Sequence, residues 1–329
     1  MLILHIVLIV AAGGLLAFSI GGNDIANAMG TSIGSGAIKP KKAFILASVF
    51  LLIGALALGG AVRSAVGGNL VESEYGHVGA IIAMFSASSV VLFMTKRGLP
   101  TSTTQALIGG LVGWGIAAGA KLNWAYLGKI AVSWLVSPLI GFAISACVYL
   151  LIRKVFVSRI TDVAARDRLE MRFRVPLLVS SCAVALAMGA NEVSQVAGFI
   201  SFLGVPSIPV AGGLGIESLA AAAFMTLGIF TFGSRVSTTV GRRITDLVHT
   251  SSFAAQFATA AVILAFSQLG IPVSTTHTVV GAVIGVGMVR GEGNVDKRSL
   301  REIGMCWLTT FPSGFAIAFL MTLLYNLIF

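Results

Sequence analysis

Apolar segments long enough to cross a lipid bilayer follow one another along almost the whole chain, with short polar stretches between them. They lie at about 1–20, 43–62, 77–95, 98–119, 125–152, 175–190, 208–232, 253–269, 271–289 and 303–328. Only 10% of the residues are charged and 57% are hydrophobic, whereas soluble domains carry about 25% charged residues. No soluble core could bury this much apolar surface. The pattern therefore predicts an all-α integral membrane protein with about ten transmembrane segments, since each span needs ~20 residues. The segments at 98–119 and 271–289 are rich in glycine and begin with polar clusters, which is typical of broken or re-entrant helices.

The basic residues indicate how the chain is oriented. The hydrophilic stretch 153–174 carries seven basic and three acidic residues, and the positive-inside rule places it in the cytoplasm. Five crossings precede it, so the N-terminus is expected outside, as is the C-terminus after five more. The acidic pair Glu72 and Glu74 then lies outside. The remaining basic clusters all lie inside, at Lys39, Lys41, Lys42, Lys96, Arg97, Arg235, Arg242, Arg243, Arg290, Lys297, Arg298 and Arg301. The net charge of +10 is thus explained by topology, and no nucleic-acid partner is expected because no RNA- or DNA-binding motif is present.

Two motifs occur twice, in the same order and at nearly the same offset. Gly-Gly-Asn-Asp-Ile-Ala-Asn at 21–27 matches Gly-Ala-Asn-Glu-Val-Ser-Gln at 189–195, and Leu-Pro-Thr-Ser-Thr-Thr-Gln at 99–105 matches Ile-Pro-Val-Ser-Thr-Thr-His at 271–277. An odd number of crossings per half starts the second copy on the opposite face of the membrane. The sequence therefore predicts two inverted repeats, a first at 1–152 and a second at 175–329, joined by the basic cytoplasmic loop 153–174.

The two Pro-x-Ser-Thr-Thr motifs have the composition of helix starts. Proline is favoured in the first turn and Ser or Thr caps it. Free N–H groups and the macrodipole make such a turn an anion site without a formal charge. Two of these turns facing each other could hold a tetrahedral oxyanion; the alternative is that the hydroxyls only satisfy backbone groups at a helix break. The expected anion-binding residues, with the position that follows each motif, are Ser102, Thr103, Thr104, Gln105, Ser274, Thr275, Thr276 and His277.

The Asn-Asp and Asn-Glu pairs place acidic side chains inside apolar segments, where they are costly and usually functional. Carboxylate and amide oxygens suit a hard cation, and carbonyls of unwound helix would complete a sodium shell. A cation beside the anion also lowers the cost of bringing charge into a low dielectric. Pairing with a buried base and exchange of protons are the alternatives. The expected cation-binding residues are Asn23, Asp24, Asn27, Asn191, Glu192 and Gln195.

The residues at 21–38 and 272–282 resemble the signatures of the inorganic phosphate transporter family, the PiT type, and the stretches 241–245 and 250–253 are similar to it as well. The resemblance covers both halves. It implies sodium- or proton-coupled symport of phosphate across the cell membrane, inverted repeats and a homodimer. It also implies phosphate at the two Ser-Thr-Thr turns and sodium at the two Asn-acid motifs, with no cofactor.

Three positions depart from the family pattern. Glu192 stands where the family usually has Asp, Gln195 where it often has Asn, and Gln105 where His often follows. The family also includes proton-coupled sulfate permeases that lack the acid of the first signature. Asp24 and Glu192 therefore favour phosphate and sodium, and a sulfate or related oxyanion permease is the alternative. An anion channel is disfavoured because a pair of carboxylates in the pathway repels anions unless cations bind. An enzyme is disfavoured because no nucleotide-binding loop or hydrolytic constellation is present.

Overall fold

The computed structural model describes residues 2–71, 77–202, 209–210, 214–242, 247–291 and 296–328. These residues are almost entirely helical. The α-helices are α1 Leu2–Gly34, α2 Pro40–Leu58, α3 Gly60–Asn69, α4 His77–Lys96, α5 Thr103–Ala118, α6 Trp124–Val155, α7 Val163–Met188, α8 Ser194–Phe202, α9 Ile216–Arg242, α10 His249–Gln268, α11 Thr275–Arg290 and α12 Lys297–Ile328. A 3₁₀ turn at Val157–Arg159 and a π-helical turn at Gly189–Val193 interrupt them, and β1 Pro209–Val210 pairs antiparallel with β2 Leu214–Gly215.

Eight helical stretches in the described residues are long and apolar enough to cross a membrane. The all-α membrane class is therefore confirmed, but the expected count of about ten is not. The difference lies at 98–119 and 271–289, where α5 and α11 have 16 residues each and fall short of the ~20 that a span needs. Each follows a non-helical segment that ends at the Ser of its Ser-Thr-Thr motif.

Two expectations about local structure are wrong. The first Asn-acid motif does not unwind its helix, since α1 runs without interruption through 21–27 to Gly34. The second motif forms a π-helical turn at Gly189–Val193 rather than an unwound segment. The stretch 153–174 is also mostly helical, because α6 continues to Val155 and α7 begins at Val163 with Asp162 as its N-cap.

Helices from one half of the sequence pack against helices from the other half. From the first half, α1 packs along α9 and α5 packs against α12; from the second, α7 packs against α2 and α11 packs against α6. Glycines make these approaches close in both halves. A Cβ at Gly21 would overlap the Met225 carbonyl, and one at Gly189 would overlap the Leu51 carbonyl. Close contacts of the same kind occur at α5 and α11. Gly109 of α5 faces the Phe311 carbonyl of α12, and Gly281 of α11 faces the Pro138 carbonyl of α6. The halves are thus built alike; their inverted orientation stays a prediction.

Several of the basic segments expected on one side of the membrane lie together at one end of the helices. Arg174 Nε donates to the Ala37 carbonyl (2.8 Å), which joins α7 to the α1–α2 turn. Arg153 Nη1 donates to the Val289 carbonyl (3.1 Å), which joins the ends of α6 and α11. Glu72, Glu74 and Arg243 lie outside the described residues.

Glu217, an isolated acid in an apolar segment, has a structural role. Its Oε1 lies 3.3 Å from Arg63 Nη1 and also accepts a hydrogen bond from the Ser201 hydroxyl (3.0 Å). This partly buried ion pair joins α9 to α3. The sequence did not reveal it, because Arg63 lies in a segment that looks like the end of an apolar span.

Candidate functional site

The residues of the two duplicated motifs meet in the interior of the helix assembly. All of the expected anion- and cation-binding side chains are buried, and Asn23, Asp24, Asn27, Ser102 and Asn191 have no measurable exposure. Residues from α1, α5, the π-helical turn and α11 contribute to one continuous hydrogen-bond network. The site is therefore closed to both faces in this conformation.

The two Ser-Thr-Thr turns have nearly identical geometry. Ser102 caps α5 with φ −85° and ψ 102°, and its side chain accepts a hydrogen bond from the Gln105 N–H (3.2 Å). Ser274 caps α11 with φ −81° and ψ 110°, and its side chain accepts from the His277 N–H (3.2 Å). Both serines therefore act as N-caps, as their position in the motif predicts.

The first carboxylate, Asp24, is held by hydroxyl and amide donors. Its Oδ2 accepts a hydrogen bond from the Thr103 hydroxyl (2.9 Å). Its Oδ1 lies 3.1 Å from Asn27 Nδ2 and 3.4 Å from the Thr276 hydroxyl. Thr103 is the first residue of α5, so the acid of α1 is attached directly to the start of that short helix.

The second carboxylate, Glu192, repeats this arrangement. Its Oε1 accepts a short hydrogen bond from the Thr275 hydroxyl at the first position of α11. Its other oxygen, Oε2, is buried without a hydrogen-bond partner among the described residues. No Lys, Arg or His in that part of the chain forms an ion pair with Asp24 or Glu192. Among the described residues, neither acid neutralises a buried base.

Hydrogen bonds between the halves bring the two acids together. Asn27 Nδ2 lies within hydrogen-bond distance of the Thr275 hydroxyl (3.2 Å) as well as of Asp24. A chain of contacts thus runs from Asp24 through Asn27 and Thr275 to Glu192. Two like charges in one dry site repel each other strongly, so the arrangement favours binding of cations.

The two turns also contact each other directly. The Thr104 hydroxyl donates to the Val273 carbonyl (3.2 Å), and the Thr276 hydroxyl donates to the Thr101 carbonyl (2.9 Å). An amide from each acidic motif completes the pattern, since Gln195 Nε2 donates to Thr104 and Asn27 Nδ2 donates to Thr276. The expectation that the turns face each other agrees with this geometry.

Asn23 and Asn191 hold the turns in place. Asn23 Oδ1 accepts from the Thr101 N–H (3.0 Å), and its Nδ2 donates to the Leu99 carbonyl (3.1 Å). Asn191 Oδ1 accepts from the Val273 N–H (3.4 Å), and its Nδ2 donates to the Val273 carbonyl (2.8 Å). Both amides bind the extended segment that precedes a short helix. In this conformation these expected cation ligands therefore hold the backbone of that segment by hydrogen bonds.

Gln105 and His277 lie in the first turns of α5 and α11, but their side chains are outside the network of acids and threonines. His277 Nδ1 lies 3.1 Å from the Trp134 carbonyl, and its ring lies 4.0 Å from the Trp307 ring, centroid to centroid. Gln105 Oε1 and His277 Nε2 are buried without a hydrogen-bond partner among the described residues.

Gln256 of α10 is a further polar residue of the site that the motifs did not indicate. Its Nε2 donates to the Asn27 carbonyl (3.1 Å) and to the Thr31 hydroxyl (2.7 Å), and its Oε1 has no partner within the described residues. Asn27 Oδ1 and Glu192 Oε2 are likewise unpartnered. Unpaired buried oxygens are costly, and oxygen atoms of this kind are the ligands that hard cations prefer.

Known proteins are similar to this chain in sequence and in fold. The model of the phosphate transporter family matches residues 20–318. A protein of Pyrococcus horikoshii named as a phosphate permease is 32% identical, with 95% of this chain and 96% of that protein aligned. The inorganic phosphate transporter 2-1 of Arabidopsis thaliana, a chloroplast protein, is 29% identical over 94% of this chain and 70% of its own length.

A solved structure described as the sodium-dependent phosphate transporter superposes with a TM-score of 0.87 at 28% identity, covering 99% of this chain and 100% of that one. The family match spans most of the chain, including all four motifs, and its members are multi-pass membrane transporters rather than enzymes. The resemblance seen in the sequence is confirmed, and the chain belongs to the phosphate transporter family.

Proposed function

We propose that this chain is a secondary active transporter that carries inorganic phosphate across the membrane together with sodium ions. One observation carries the proposal. Two buried carboxylates, Asp24 and Glu192, have no basic partner in the described residues and accept hydrogen bonds from Thr103 and Thr275 at the starts of two short helices. Sites for cations and for an anion are therefore adjacent and share side chains.

The starts of α5 and α11 supply donors for an oxyanion. The N–H groups of the first two residues of a helix have no acceptor within it, and none is found for Thr103, Thr104, Thr275 or Thr276 in the part of the chain that the structure describes. The hydroxyls of the same four threonines add further donors. Two such helix starts in contact suit a tetrahedral oxyanion.

In the closed conformation the carboxylates occupy part of this donor set. The hydroxyls of Thr103 and Thr275 point at carboxylate oxygens, which have the charge and hydrogen-bonding character of a phosphate oxygen. We propose that sodium binding to Asp24 and Glu192 neutralises the acids and releases these hydroxyls for phosphate. Asn27 Oδ1 and Glu192 Oε2, both unpartnered among the described residues, complete the sodium ligands.

The electrostatics favour obligatory coupling over a passive pore. Each pair of unit charges 4 Å apart interacts with about 4 kcal/mol at an effective dielectric constant near 20. A divalent phosphate beside two ionised carboxylates meets four such repulsions. Entry of phosphate without cations is therefore strongly disfavoured, which is the physical basis of symport.

The same carboxylates favour phosphate over sulfate. A protonated phosphate can donate a hydrogen bond to an acid, and a fully ionised sulfate cannot. Sulfate would leave the carboxylate acceptor without a hydrogen bond, and a site of this kind discriminates strongly against the ligand that lacks the donor. A proton-coupled permease for sulfate or a related oxyanion is the alternative that the experiment below separates.

We propose the topology that the basic residues indicate: a multi-pass chain in the cell membrane with both termini outside and 153–174 in the cytoplasm. The homodimer that the family resemblance implies is part of the same proposal. Single cysteines introduced at Arg159 and Gly60 should react from opposite sides of intact cells. Labelling of both from the same side would contradict this topology.

The test is uptake of labelled phosphate into proteoliposomes under an imposed sodium gradient with the pH clamped. Asp24→Asn removes one carboxylate of the site, and Asp167→Asn is the matched control on the exposed part of α7. We expect accumulation that needs the sodium gradient, is lost in Asp24→Asn and persists in Asp167→Asn and in excess sulfate. Uptake driven by a proton gradient alone, or equal competition by sulfate, would establish the alternative permease.

A further inference from the structure

A second site rich in positive charge lies away from the duplicated motifs, at the end of the helices where α6, α7 and α11 meet. It is a cavity of about 310 Å³ lined by Tyr149, Arg153, Val157, Arg166 and Arg290. Its volume is at the lower end of the ~300–1,000 Å³ typical of small-ligand sites. None of its lining residues belongs to the transport site.

The arginines converge from three helix ends. Arg153 lies at the end of α6, Arg166 in the first turn of α7 and Arg290 at the last position of α11. Arg153 Nη1 donates to the Val289 carbonyl (3.1 Å), and Arg290 Nη1 lies 3.5 Å from the Ser251 hydroxyl. These contacts fix the positions of two guanidinium groups, each of which has five N–H donors in all.

Two of these arginines, Arg153 and Arg166, have no carboxylate partner among the described residues. The carboxylate of Glu170, on the same helix as Arg166, accepts hydrogen bonds from the Thr250 N–H (2.9 Å) and hydroxyl (2.8 Å). That carboxylate is therefore engaged at the start of α10.

Tyr149 supplies the second, independent feature. The residue is only 4% exposed, yet it lines the cavity. Its hydroxyl has no hydrogen-bond partner among the residues that the structure describes. A ligand in the cavity with an acceptor oxygen would give this hydroxyl a hydrogen-bond partner.

We propose that this cavity binds a phosphate group through Arg153, Arg166, Arg290 and the Tyr149 hydroxyl. Guanidinium groups match phosphate oxygens in geometry and charge. Basic pockets between helices at the cytoplasmic end bind lipid head groups, and free inorganic phosphate has the same chemistry. The cavity lies between the ends of α6, α7 and α11, so its occupancy would act on the position of α7 relative to α6 and α11.

Two probes distinguish the sources of the phosphate group. Native mass spectrometry of the purified chain measures retention of phosphatidylglycerol. Titration with inorganic phosphate, in neutral phosphatidylcholine nanodiscs and without sodium, measures binding of the free anion. The test variant is the double substitution Arg153→Gln/Arg166→Gln. The control is Arg168→Gln, which removes one positive charge from an exposed side chain of α7 paired with Asp162.

We expect the double variant to bind one of the two probes at least about tenfold more weakly than the wild type, because each basic contact contributes on the order of 1 kcal/mol. Tyr149→Phe keeps the volume and all charges, and should weaken the same probe roughly three- to tenfold. Loss of phosphatidylglycerol retention assigns the site to a lipid head group, and loss of phosphate binding assigns it to the free anion. Equal binding of both probes by the wild type, the double variant and Tyr149→Phe would overturn the proposal, as would an equal loss in Arg168→Gln.

Discussion

The hydroxyl of Thr103 donates a hydrogen bond to the carboxylate of Asp24 at 2.9 Å, so the first residue of α5 is attached to the acid of α1. Thr275 and Glu192 repeat this contact in the second half. Each acid is therefore linked to the start of the helix that carries its own half's Ser-Thr-Thr motif. A change at either partner should alter cation and anion binding together.

Replacing Thr103 with Val removes the donor while keeping the shape of the side chain. A hydrogen bond to a charged group contributes about 1.5–3 kcal/mol, so we expect phosphate uptake to fall roughly ten- to hundredfold. Thr103→Ser keeps the hydroxyl and should retain most of the activity. Initial rates of labelled phosphate uptake measure both, and Thr309→Val, on an exposed hydroxyl of α12, is the control. Equal rates in the Val and Ser variants would show that the hydroxyl has no role.

Shortening Glu192 to Asp withdraws its carboxylate by one methylene from Thr275. We expect the sodium concentration for half-maximal uptake to rise severalfold, because the remaining acid no longer reaches both the hydroxyl and the shared cation site. Glu302→Asp, an exposed acid on α12, should leave the sodium dependence unchanged. An unaltered sodium dependence in Glu192→Asp would mean that this carboxylate does not contact the coupling ion.

Gln256 should contribute to the cation site through α1. Gln256→Leu removes the donor to the Asn27 carbonyl and to Thr31, and leaves a buried carbonyl short of a partner at a cost of about 1–3 kcal/mol. We expect uptake to respond less steeply to the sodium concentration, and the midpoint of thermal unfolding to fall. Gln268→Leu, on an exposed glutamine at the end of α10, is the matched control. Wild-type behaviour of Gln256→Leu in both measurements would remove Gln256 from the site.

The close approach of α1 to α9 should be sensitive to a single methyl group. A Cβ at Gly21 would overlap the backbone carbonyl of Met225, and backbone cannot move aside as a flexible side chain can. We expect Gly21→Ala to destabilise the fold by at least 1–3 kcal/mol, roughly the cost of overpacking, and to lower the midpoint of thermal unfolding in detergent. Gly128→Ala adds the same methyl where no atom lies within 4 Å. Equal midpoints for the two variants would contradict the observed packing.

Much of the site could be predicted from the sequence because its residues repeat. The duplicated Pro-x-Ser-Thr-Thr motif predicts the helix starts of α5 and α11, which the capping geometry of Ser102 and Ser274 matches. The buried position of Asp24 and Glu192 follows from their apolar surroundings. The joining of both acids in one network does not follow, because it depends on contacts between residues about 250 positions apart, such as Asn27 and Thr276.

Other features had no local signal. The glycines at 21–22 suggest a helix break, but tight packing against α9 holds α1 helical through them, so tertiary structure overrides propensity. Gln256 lies in an ordinary apolar helix, and its partners are set by the position of α1. The pairing of Arg63 with Glu217 joins two segments far apart in the chain. Each of these is a consequence of which helices are neighbours, and periodicity within one segment does not contain that information.

The packing of first-half helices against second-half helices limits the order in which the protein can be assembled during synthesis. When α5 emerges from the ribosome, its partner α12 has not been translated, and α1 likewise precedes α9. The first half can pack α4 against α1 and α5, but it must stay in the bilayer without α9 and α12 until the second half is inserted. Contacts of such long sequence separation form slowly. A chain released before α12 is complete leaves α5 without the surface that its glycines fit, and quality control in the membrane would recognise it as unassembled.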